Sequence, residues 1–108
     1  MAVAELNGAA IVNEASFFAE SSRAFGFHTA NGDTIDTWVD CLSYLRDDEN
    51  MTKFRLQPEE TLEIVITDSA ALRARLPDLL DEIVFCVGGI NERYEDYGEK
   101  PALELVLR

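Results

Sequence analysis

The sequence predicts an α/β fold: a three-stranded parallel sheet covered by about four helices, in one domain spanning residues 1–108. Three observations lead there. Segments 2–6, 61–67 and 102–107 have strand character. Each gap between them is long and carries two helical patterns. Strands joined through helices run parallel, whereas antiparallel neighbours use short hairpins. The chain has 108 residues, 47% of them hydrophobic, enough for one core without staples.

The elements follow in order. Residues 2–6 alternate weakly and end at Asn7-Gly8, a turn signal. Asn13 is placed to cap a helix reaching about Phe25, with Phe17, Phe18, Ser21, Ala24 and Phe25 on its inner side. Asn31-Gly32-Asp33 reads as a turn, with Asp33 as the N-cap of a helix from Thr34 to about Arg46. In that helix Ile35, Trp38, Val39, Leu42 and Leu45 form one apolar stripe, which makes Trp38 a core residue. Residues 47–60 are polar and irregular, with Phe54 and Leu56 as an apolar anchor. The segment TLEIVIT, 61–67, alternates and is β-branched. Asp68 or Ser69 then caps a short helix ending near Pro77. A second helix starts at Pro77-Asp78 and turns Leu79, Leu80, Ile83, Val84 and Val87 inward. Gly88-Gly89 is expected to kink or interrupt it before Tyr94. Residues 102–107, ALELVL, form the last strand.

Charge narrows the function. Nine Lys and Arg stand against 21 Asp and Glu, a net charge of −12. Such a chain repels a phosphate backbone, which argues against direct nucleic-acid binding. A cationic partner is the natural counterpart. The longest strongly apolar run, Ile83 to Val87, is far short of the roughly 20 residues that span a bilayer. The start MAVAELNGAA lacks a basic region followed by an apolar stretch, so a cytoplasmic location is expected. Cys41 and Cys86 lie among apolar neighbours and read as small buried hydrophobes, neither a disulfide nor a nucleophile.

Little in the sequence suggests catalysis. The single histidine, His28, falls on a loop, and no G-x-S-x-G elbow is present. Asp47-Asp48-Glu49-Asn50 lacks the spacing and central glycine of a calcium loop, and no metal or cofactor is expected. Gly88-Gly89 follows an apolar helical run and is no phosphate cradle. The acids are more informative. Asp33, Asp36, Asp40 and Asp47 fall on one face of the second helix, opposite the apolar stripe. Like charges four residues apart weaken a helix by about 0.2–0.5 kcal/mol. For Asp33 and Asp36 the helix start offsets this, through its dipole and free N–H groups. Asp40, two turns in, has no such local compensation.

The segment Gly32-Asp33-Thr34-Ile35-Asp36-Thr37-Trp38-Val39-Asp40-Cys41-Leu42 resembles the barstar family, intracellular inhibitors of barnase-type ribonucleases. The pattern Asp-x-x-x-Asp-Cys-Leu is matched at Asp36, Asp40, Cys41 and Leu42, and the order of elements over nearly the whole chain is similar. The resemblance implies a barstar-like fold and an inhibitor whose second helix, with the loop before it, plugs the ribonuclease active site. Acidic side chains there take the place of substrate phosphates, with Asp36 and Asp40 as the main contacts and Asp40 dominant. Asn31, Asp33, Thr37 and Tyr44 complete the implied contact face. The last helix adds a glutamate, placed at Glu92, with Glu82 and Glu95 as alternatives. This sequence departs from the family where Ala30 and Asn31 replace a pair of tyrosines, leaving Phe27 or His28 as the nearby aromatic. It departs again where Val39 replaces an aromatic beside Asp40.

The expected function is therefore an immunity-like inhibitor of a basic secreted ribonuclease, monomeric when free. The alternatives are an acidic immunity or regulatory protein for a different cationic toxin or partner, an enzyme using a carboxylate or His28 site, and an assembly domain whose acids only confer solubility.

Overall fold

The computed structural model describes residues 2–27, 34–46 and 52–108. Three strands, β1 (Ala2–Asn7), β2 (Leu62–Thr67) and β3 (Leu103–Leu107), form a sheet of order β1-β2-β3 with both pairs parallel. Four α-helices lie among the described residues: α1 (Glu14–Phe25), α2 (Ile35–Leu42), α3 (Ser69–Arg75) and α4 (Pro77–Asp96). The α/β architecture is the one read from the sequence.

Alternate residues of a strand share a face, and the register brings Leu6, Ile66 and Leu107 side by side, with Ala4, Ile64 and Leu105 in the next row. Ala4, Leu6, Leu62, Ile64, Ile66 and Leu103 are buried and meet the apolar sides of the helices. The central strand buries Val65 on its other face as well, because it has a neighbour along each edge. After β1 the chain makes a 3₁₀ turn at Gly8–Ala10. Gly8 is required there, since a Cβ would collide with the carbonyl oxygen of Thr67.

α1 begins where expected. Asn13 Oδ1 accepts from the Ser16 amide at 2.8 Å, and Ser16 Oγ accepts from the Asn13 amide at 3.0 Å, a reciprocal capping box. Gly26 ends the helix at φ 68°, in the left-handed region. The predicted inner residues Phe17, Phe18, Ser21, Ala24 and Phe25 are all buried. Trp38 of α2 packs against Phe17 and Phe25, and its indole N–H donates to Ser21 Oγ at 3.1 Å. The buried hydroxyl is thus satisfied by the ring that covers it. Leu56 is buried and Phe54 half-buried, as their anchoring role requires.

Four expectations are corrected. The N-cap of α2 is Thr34: Thr34 Oγ1 accepts from the Thr37 amide at 3.2 Å, and Thr37 Oγ1 accepts from the Thr34 amide at 3.2 Å. α2 also stops at Leu42, short of Arg46. The Tyr94 hydroxyl donates to the Leu42 carbonyl at 3.1 Å and accepts from the Leu45 amide at 3.0 Å. The Leu45 carbonyl accepts from Leu56 at 2.7 Å. These long-range partners hold residues 43–46 in a turn, with Leu45 still in the core. At α3, Asp68 occupies the N-cap position at φ 52° but its side chain makes no cap bond, and Ser69 Oγ donates instead to the Arg108 carbonyl at 2.9 Å.

The last correction concerns α4, which runs unbroken through Gly88-Gly89. Two interior glycines cost about 1 kcal/mol each against alanine. Burial of Leu80, Ile83, Val87, Ile90 and Tyr94 on both sides of the pair, each worth about 1.5–3 kcal/mol, outweighs that. Val84, expected inside, lies off the edge of this stripe at 100° per residue and is exposed, while Leu79 is half-buried. No helix among the described residues is long and apolar enough to cross a membrane.

Candidate functional site

Capping and packing fix the outer face of α2. Thr34 and Thr37 close its N-terminus, Trp38 and Leu42 nail its inner side to the core, and Tyr94 holds its C-terminus. Asp36 and Asp40, four residues apart, project from the opposite side and are exposed. Asp36 lies in the first turn, where the helix dipole favours a carboxylate. Asp40 has no such support, as its spacing implied.

Asp40 instead has a partner that sequence reading missed. Arg93 of α4 reaches its Oδ1 at 3.5 Å and also donates to Ser43 Oγ at 3.1 Å. Both charged side chains remain more than half exposed, Arg93 53% and Asp40 57%. Such a pair contributes at most about 1 kcal/mol and leaves the carboxylate open to competition by another cation. Arg93 and Asp40 are 53 positions apart, and the unbroken α4 brings them together across the α2–α4 contact.

Beyond Arg93 the surface opens into a cavity of about 690 Å³ between the end of α2 and the end of α4. Ser43, Tyr44, Arg93, Tyr94, Asp96, Tyr97 and Glu99 line it. Tyr44 and Tyr97 are exposed aromatics at its edge. Behind it Arg46 is nearly buried. It stacks on the Tyr94 ring, pairs with Glu99 at 3.2 Å and donates to the carbonyls of Lys100 and Glu60. Glu92 stands exposed on α4, one residue before Arg93 but not in contact with Asp40, where it lines a groove with Val84, Phe85, Gly88 and Gly89.

Of the sequence-derived contact residues, Asp36 and Asp40 share the outer face of α2, Tyr44 lines the cavity that Arg93 also lines, and Glu92 belongs to a neighbouring groove. The Thr37 hydroxyl is engaged in the α2 cap. Asn31, Asp33, Asp47, His28 and the Asp47–Asn50 run lie outside the described residues. Phe27 is half-buried and stacked on Phe25, with ring centres 5.5 Å apart, so its ring is committed to the fold. Cys41 and Cys86 are buried, free thiols. Burial pushes both pKa values up, helped by Asp40 at Cys41 and by Glu82 and Asp36 at Cys86, which keeps them protonated and unreactive at neutral pH. Neither Asp36 nor Asp40 lines either of these cavities.

The family model described as Barstar (barnase inhibitor) matches residues 1–106 of the 108-residue chain. The chain belongs to the barstar family. No curated protein matches it. In this barstar-family chain, the helix carrying the Asp-x-x-x-Asp-Cys-Leu pattern buries Cys41 and Leu42 and presents Asp36 and Asp40 to solvent. The pattern thus combines two core positions with two surface charges, and the same α2 geometry accounts for both.

Proposed function

We propose that the chain inhibits a basic, barnase-type ribonuclease by laying the acidic face of α2 over the enzyme's cationic active site. The carboxylates of Asp36 and Asp40 take the positions that substrate phosphates occupy. The observation that carries this reading is the exposure of both aspartates on one side of a helix held at each end by hydrogen bonds. Membership of a family described as barnase inhibitors supports it, as does the net charge of −12. A pre-organised anionic face loses little freedom on docking and speeds encounter with a basic surface. The free protein acts as a monomer in the cytoplasm, with neither nucleic acid nor cofactor involved.

The test is titration of barnase-catalysed RNA hydrolysis with the full chain. The wild type is expected to abolish activity, and the Asp36→Lys/Asp40→Lys variant to leave it intact. Asp40→Ala should lose more affinity than Asp36→Ala. Truncating one member of a buried charge pair costs about 2–5 kcal/mol, a range drawn in part from the barnase–barstar pair itself and so carried over from the family. Undiminished RNA hydrolysis at excess wild type, or equal inhibition by the double variant, overturns the reading.

A further inference from the structure

We infer that Phe85 and the Gly88-Gly89 backbone on the outer face of α4 form an apolar anchor for the same basic partner. This rests on the inhibitor reading and adds a site to it. Phe85 is 80% exposed and Val84 44%, beside each other on the outer face of α4. With Gly88, Gly89 and Glu92 they line a groove of about 360 Å³. The glycines have no internal explanation. Neither has a positive φ, and a Cβ at either would meet nothing within 4 Å. Glycine is also among the poorest residues for a helix interior. The remaining physical use for it here is close approach of another molecule to the backbone.

The groove adjoins the acidic strip. Glu82, Cys86, Gly89 and Arg93 recur along one row of α4, and that row faces α2: Arg93 contacts Asp40 and Ser43, and the charge of Asp36 bears on Cys86. Phe85, Gly88 and Glu92 form the next row outward. A partner seated on Asp36 and Asp40 therefore meets Phe85 at its border. Charge selects that partner over a second copy of the chain. Glu92 lines the groove, and the exposed side of α4 around it also carries Asp81, Glu82, Glu95 and Asp96, while the cations beside this face, Arg73 and Arg93, are paired with Asp81 and Asp40. Two such faces repel each other, whereas a basic surface offering an apolar pocket between its Lys and Arg side chains complements both features.

The experiment is calorimetric titration of barnase with the full chain at two salt concentrations, alongside thermal melts and sedimentation. Phe85→Ala should weaken binding about tenfold or more with an unchanged salt dependence, since it removes apolar contact only. Gly88→Ala/Gly89→Ala should raise the melting temperature by about 4–8 °C per substitution, yet also weaken binding at least about tenfold by filling the groove. A gain in stability with a loss in affinity cannot come from misfolding. If both variants bind like wild type while Asp36→Lys/Asp40→Lys abolishes binding, the α4 anchor is wrong and the inhibitor reading stands. If barnase fails to bind the wild type, the inhibitor reading falls and the anchor with it. A wild-type dimer that Phe85→Ala dissociates overturns the choice of occupant.

Discussion

Tyr94→Phe isolates one hydroxyl and tests how α2 is held to α4. The ring stays, so packing and the Arg46 stacking survive. What disappears is the donor to the Leu42 carbonyl and the acceptor for the Leu45 amide. Tyr94, Leu42 and Leu45 are all buried, at 5%, 0% and 1% exposure, so water does not simply take over. The orphaned amide alone costs about 1–3 kcal/mol. The Leu42 carbonyl, at the unsatisfied C-terminal end of α2, adds a smaller penalty. The sum is about 1–4 kcal/mol, or a fall in melting temperature of about 4–32 °C for a chain this size. Urea unfolding followed by the fluorescence of Trp38, the single tryptophan, measures it directly. The midpoint should fall with an unchanged slope. Amide exchange supplies the local control: Leu45 N–H should lose protection relative to the rest of the core. A midpoint within about 0.5 kcal/mol of wild type, or undiminished protection at Leu45, would show that the hydroxyl does not hold the turn.

Three further outcomes are expected. Thr34→Ala should lower stability by about 0.5–2 kcal/mol through loss of the α2 cap, and an unchanged urea midpoint would contradict the capping box. Glu20, held by Arg23 and accepting from the Asn7 amide at 2.7 Å, has its pKa pulled below the ordinary 4.5, chiefly by the Arg23 hydrogen bond. Its stabilisation is full above about pH 4.5 and drains away as pH falls through the lowered folded-state value. The stability gap between wild type and Glu20→Gln should therefore narrow from pH 7 to about pH 3, and a constant gap counts against the pairing. Arg93→Ala should change fold stability by less than about 1 kcal/mol, yet tighten binding to barnase up to about fivefold at low salt by removing the competitor for Asp40. A loss of affinity on calorimetry would instead make Arg93 a contact.

Local pattern, read from the sequence, settled much of this protein. Asn13 and the spacing of Phe17, Phe18, Ser21, Ala24 and Phe25 defined α1. Alternation defined β2, and the helix between strands made the sheet parallel. The same periodicity put Trp38 inside and Asp36 and Asp40 outside, which was the legible part of the candidate site. All of these depend on residues within a turn or two of one another, where 100° or 180° per residue decides which side is wet. The tertiary structure decided where α2 ends, that α4 continues through Gly88-Gly89, and that Arg93 guards Asp40. The bonds responsible join residues 49, 52 and 53 positions apart. At such separations no spacing in the sequence announces a contact. It exists only once sheet and core have set α2 beside α4, where burial makes a phenol hydroxyl worth a helix terminus and the stripe around two glycines stronger than their preference to unwind.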